Sequence, residues 1–108
     1  MQFKGLYNMP VTVTTVSTRP NSTVEFWTFS AETRAHLTAE FKDTGKLTSR
    51  TDNISEDGLT KTVVRTFADP AALDAYRIDA LRTAATESQR EYNTLHGHTS
   101  TATIAIQP

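Results

Sequence analysis

Two periods run through this chain, one near two residues and one near 3.6, and they divide it into six or seven elements. Val11 to Thr18 is a run of Val and Thr, stiff branched residues that suit a pleated surface, and it predicts a first strand. Arg19-Pro20-Asn21 ends it, because Pro fixes φ and Asn accepts turn geometry. Residues 23–29 (TVEFWTF) read two ways. Ser22-x-x-Glu25 has the form of a capping box, but Val24, Phe26, Trp27 and Phe29 scatter around a helical wheel and alternate better as a short strand. A helix follows, with Ser30 as N-cap, Glu32 in its first turn, Leu37 and Phe41 as a narrow apolar stripe, and Gly45 past its end.

The second half is more sharply punctuated. Leu47–Ser55 and Leu59–Phe67 flank Glu56-Asp57-Gly58, a three-residue hairpin signal, with the facing of each strand left open by the sequence. Asp69-Pro70 begins a helical pattern that runs to Leu95 before Gly97. That length predicts a bend near Arg77–Asp79, with Asp79 as a second cap. Leu73, Tyr76, Ala80 and Ala84 share one face of this pattern. Thr99–Ile106 closes the chain as a strand, with Ala102, Ile104 and Ile106 opposed to Thr99, Thr101 and Thr103. The order β-(β)-α-β-β-α-β predicts an α+β fold, a ferredoxin-like βαββαβ sandwich with an antiparallel sheet and both helices on one face. Residues 1–9 read as an N-terminal arm, with Phe3, Leu6 and Tyr7 as anchors, and 10–108 as one domain.

Composition narrows the chemistry by exclusion. The 108 residues include no Cys, which removes thiolate catalysis and cysteine-bound metal. With 11 Lys+Arg against 12 Asp+Glu the net charge is −1, so no nucleic-acid partner is expected. No apolar run is long enough to span a membrane or to resemble a signal peptide, and a cytoplasmic location is expected. The four glycines are isolated, so no phosphate-cradling loop is present.

Asp57-Gly58-Leu59-Thr60-Lys61-Thr62-Val63-Val64-Arg65-Thr66-Phe67-Ala68-Asp69, then Pro70-Ala71-Ala72-Leu73-Asp74-Ala75-Tyr76, resembles the dimeric α/β-barrel superfamily. There the second hairpin strand ends in an aromatic residue, a D-x-A-A-x-x-A-Y helix start follows, and x-Y-N-x-x-x-G-I-T precedes the last strand. Tyr92-Asn93-Thr94-Leu95-His96-Gly97-His98-Thr99 is similar to that ending, with His98 in the usual aliphatic place. The likeness covers roughly residues 10–106 and is nearest to the antibiotic-biosynthesis-monooxygenase-like branch. It implies a homodimer with sheets packed face to face and a cavity between sheet and helices. It also implies chemistry without metal or flavin, hence no cofactor. The Asn, Trp and His set of haem-degrading relatives does not map onto this chain.

Several constellations compete for function. Trp27, Tyr76 and Tyr92 are aromatic candidates to line a cavity, although large residues are also what a small core needs. Arg50 and Arg65, with Lys61 near, are candidates to hold a carboxylate or enolate, against simple pairing with Asp52. The alanines Ala80, Ala84, Ala85, Ala102 and Ala105 are expected to leave room between helices and sheet. His96-x-His98, joined by His36 or Glu91, has the spacing of a metal pair; the structural alternative places His96 at a helix C-terminus and His98 on the surface. A general base would have to be His36, His96, His98 or a buried carboxylate. The expectation is a protein that binds a small apolar or amphipathic molecule, acyl or aromatic in type, in a barrel cavity. The alternatives are a cofactor-independent monooxygenase-like enzyme and a metal-binding protein.

Overall fold

A computed structural model describes residues 8–106, so the anchors Phe3, Leu6 and Tyr7 of the expected arm lie outside the described residues. Four strands form one antiparallel sheet: β1 (Val11–Thr18), β2 (Leu47–Ile54), β3 (Thr60–Phe67) and β4 (Thr99–Ile106), in the order β2-β3-β1-β4. Helix α1 (Ala31–Leu37) continues into a π-helical segment, Thr38–Lys42, between β1 and β2. Helices α2 (Pro70–Ile78) and α3 (Ala80–His96) follow β3. This is the ferredoxin-like βαββαβ arrangement.

Local chemistry sets the boundaries. Ser30 Oγ accepts from the Thr33 N–H at 3.2 Å, and Asp69 Oδ1 accepts from the Ala72 N–H at 2.8 Å, with Pro70 in the first turn. Asp79 breaks the long helical pattern where a bend was expected, its Oδ1 accepting from the Arg82 N–H at 3.0 Å. Gly58 and Gly97 take φ of +78° and +69°, conformations that L side chains rarely adopt, at the hairpin and at the end of α3.

Residues 23–29 form no strand. Arg19 Nη1 donates to the Val24 carbonyl at 3.0 Å, and the Tyr92 hydroxyl donates to the Glu25 carbonyl. Side chains thus occupy acceptors that a fifth strand would have used, and the segment is an irregular connection between β1 and α1. The expected helix face also fails. The break at Asp79 rotates α3 out of register with α2, so Ala80 and Ala84 are exposed while Leu73 and Tyr76 are buried.

Pairing across the sheet sorts its two faces. Val11, Val13, Thr15 and Ser17 stand opposite Phe67, Arg65, Val63 and Lys61 on one side and Ile106, Ile104, Ala102 and Ser100 on the other. These residues share the face toward the helices. The outer face carries Thr at most positions, completed by Val16, Val64, Ala105, Ser49 and Asn53, and holds no charged residue. The core lies at one end of the inner face. Val11 and Phe67 are 1% and 0% exposed, with Leu37, Phe41, Ala72, Leu73 and Tyr76 packed around them. Helix α3 contributes no buried residue.

Candidate functional site: a cation-lined cavity between sheet and helices

Beyond the core the helices stand off the sheet and leave a cavity of about 690 Å³. Its apolar surface comes from Val13, Val63, Phe67, Leu73, Ile104, Trp27 and Phe29, the last two packed edge to face with centroids 5.1 Å apart. A second cavity of about 360 Å³, lined by Leu37 and Leu47 among others, shares Phe29, Arg34, Arg50, Arg65 and Tyr76 with the first. At the far end Ser17 and Ser100 hydrogen-bond each other at 2.7 Å, and the Gln89 and Asn93 amides of α3 donate to Ser100 at 3.4 and 3.3 Å. Helix α3 therefore meets β4 through polar contacts.

The charge distribution is lopsided. Arg50, Lys61 and Arg65 reach the larger cavity from the sheet, and Arg34, Arg77, Arg82 and Arg90 reach it from the helices. Seven of the chain's 11 cationic side chains thus surround one space, against a single carboxylate, Asp52. Arg50 binds Asp52 through Nε at 2.9 Å and Nη2 at 3.1 Å. Burial lowers the Lys61 ammonium from its ordinary value, with Asp52 opposing and Arg50 and Arg65 adding to the shift. Burial likewise depresses Arg65, against the influence of Tyr76, though a guanidinium stays charged in any case. Arg65 faces the Phe29 ring at 5.9 Å and Arg82 faces Tyr76 at 5.2 Å.

The sequence-derived candidates separate. Trp27, Arg50, Arg65 and Tyr76 line the large cavity together. Tyr92 lies elsewhere, its ring packed on His96 and His98 with centroids 4.5 and 5.7 Å away. Of the alanines only Ala102 lines the cavity; Ala105 stands opposite Thr12 on the outer face. The room comes instead from α3 standing away from the sheet behind Arg82, Thr86, Gln89, Arg90 and Asn93. Their spacing is helical, and reading for apolar stripes assigns such a row to solvent.

None of the three histidines lines the cavity. His36 Nε2 lies 2.7 Å from Asp79 Oδ2, tying α1 to the bend between α2 and α3. Burial raises the Asp79 pKa, but the His36 bond and the Arg82 and Leu81 N–H groups outweigh it and the net shift is downward. His98 is buried among Phe26, Tyr92 and His96, in contrast to the surface position that one reading gave it, and its Nδ1 has no hydrogen-bond partner. Burial lowers its pKa, with His96 and Arg19 acting in the same sense. Among the described residues no group of three or more His, Asp or Glu is placed to hold a metal ion.

Comparison with known proteins settles the architecture. A conserved protein of unknown function from Bacteroides thetaiotaomicron, described as a possible oxidoreductase, superposes with a TM-score of 0.61 at 10% identity over 93% of this chain and 99% of its own. A candidate antibiotic biosynthesis monooxygenase from Caulobacter crescentus gives 0.59 at 14% identity, over 97% of this chain and 96% of its own. The chain has the ferredoxin-like fold of these proteins. No family model matches the sequence, and no significant match is found among curated proteins. At these identities the likeness carries fold and not activity.

Proposed function

We propose that the protein binds a small amphipathic molecule in the cavity, with its apolar body against Trp27, Phe29 and Val63 and an acidic group toward Arg50 and Arg65. The observation that carries this reading is the gathering of seven cations around an apolar floor in a chain of net charge −1. The oxygenase alternative, which the names of the structural neighbours suggest, needs a proton acceptor at the ligand; none of the histidines lines the cavity, and Asp52, its one carboxylate, is held through both oxygens by Arg50. Titration with octanoate and benzoate, followed by Trp27 fluorescence and melting temperature, tests the proposal. Saturable quenching with a raised melting temperature is expected; no response at millimolar concentrations of either probe overturns it.

The same reading includes a homodimer through the outer sheet face. The helices cover only the inner face, and the flat outer face, free of charged residues and carrying Val16, Val64 and the methyls of its threonines, suits packing against a second sheet. A second copy presents the same self-complementary face. Sedimentation at micromolar concentration is expected to give a dimer, and Val16→Lys, at the centre of that face, a folded monomer. A monomeric native chain overturns this part. No helix among the described residues is long and apolar enough to cross a membrane.

A further inference from the structure

The register of the hairpin sets Arg50 of β2 directly opposite Arg65 of β3, both on the cavity face. Like charges in directly opposed positions destabilise a sheet. Asp52 supplies one negative charge and spends both of its oxygens on Arg50. Arg65 and Lys61 have no anionic hydrogen-bond or ion-pair partner among the described residues. Arg65 lines both cavities and faces the Phe29 ring, Arg34 lines both as well, and Arg82 stands over Tyr76 from α3. Cations gathered in this way, Lys61, Arg65 and Arg82 partly buried and Arg34 and Arg50 exposed, repel one another until an anion enters. One carboxylate leaves most of that repulsion in place. A centre with two charges and three acceptor oxygens answers Arg65, Arg50 and Lys61 together.

Resting on the binding reading above, we propose that the cavity selects an amphipathic phosphate monoester, with the phosphate at the Arg50–Arg65 pair, over a monoanion of the same shape. The apolar body attached to it lies, as in that reading, against Trp27, Phe29 and Val63 of the larger cavity.

Phenyl phosphate and phenyl sulfate provide the test, because they share a tetrahedral head and an aromatic body and differ at pH 8 by one charge. Calorimetric titration of the full chain is expected to favour the phosphate by about tenfold or more. Equal affinity, or preference for the sulfate, overturns the phosphate proposal and leaves the broader binding reading standing. Absence of binding by both, and by octanoate, overturns both readings. Arg65→Met is expected to bring the phosphate-to-sulfate ratio near one while its melting temperature holds or rises. If that variant fails to fold, Lys61→Met is expected to reduce the ratio several-fold. Retention of the full ratio by a folded Arg65→Met, or by Lys61→Met where Arg65→Met does not fold, overturns the assignment of the site.

Discussion

The two ends of the inner sheet face are built on opposite principles. At the Val11–Phe67 end, α1, its π-helical extension and α2 close over the two central strands, and Val11, Phe67, Leu37, Phe41, Leu73 and Tyr76 are almost fully buried. Toward the Ser17–Ser100 end and along the edge strand β4, α3 spans the sheet with no buried residue, and even Ile104 of β4, paired with Val13 and facing the cavity, is 45% exposed. Apolar burial holds one end, while capping bonds, amide–hydroxyl contacts and one ion pair hold the other. The contrast teaches where each kind of energy resides: cohesion in the packed end, unsatisfied charge in the open one. A protein of this size supports such a division only because a few large residues, Phe67, Phe41 and Tyr76, concentrate the core.

Mutations can break that contrast. Phe67→Ala is expected to cost about 3–5 kcal/mol through an unfilled cavity in the packed end, whereas Ile104→Ala should cost about 1 kcal/mol or less. Comparable losses in denaturant unfolding would show that the exposed β4 side is cohesive too. Next in size is Asp79→Ala, expected to lose about 1–2 kcal/mol with the cap of α3, and more with the His36 bond. Because the folded pKa of Asp79 is lowered, its contribution is complete above the ordinary carboxylate value and is lost as pH falls through the folded value. The native and Asp79→Ala melting curves should therefore converge in acid.

Smaller effects sharpen the picture of the open end. Lys61→Met is expected to raise the melting temperature of the free protein at pH 7, since a cation with a depressed pKa destabilises the fold while charged. The gain should shrink as pH rises toward the ordinary lysine value. The smallest effect concerns His98. Its pKa is lowered, so its contribution is full above the ordinary imidazole value, about 6.5, and is lost as pH falls from there through the folded value. His98→Phe should flatten that part of the stability profile. An unchanged slope would place the titration elsewhere.

What the sequence disclosed was mostly punctuation. Asp69-Pro70, Ser30, the Gly58 turn and the Asp79 bend act within a few residues of themselves, so their chemistry is visible locally. The element order followed, and with it the α+β fold. Facing was another matter. Thr occupies both sides of β1, so no alternation told Arg65 apart from its neighbours until Arg50 was set against it by pairing. Net charge concealed the site for a similar reason: the sum of −1 is indifferent to where the charges lie. Tyr92 and Trp27 look alike in the sequence, yet one carries a carbonyl of the 23–29 segment and the other lines the cavity. That segment reads as a strand in the sequence because one of the partners that take its carbonyls, Tyr92, lies 67 residues away from Glu25 and outside any local window, although Arg19 is near.

Helix α3 has an evolutionary reading. Its ends are fixed by Asp79 and Gly97, and nothing between them is part of the core. Changes at Thr86, Gln89 or Arg90 therefore fall on the cavity wall outside the packed core. Selection can alter the sign or reach of those side chains one at a time, because each step draws little from a stability margin that is narrow in any small domain. Segregating cohesion from recognition makes α3 the adjustable part of the scaffold, and a new ligand preference can arise there before the rest of the chain has to change.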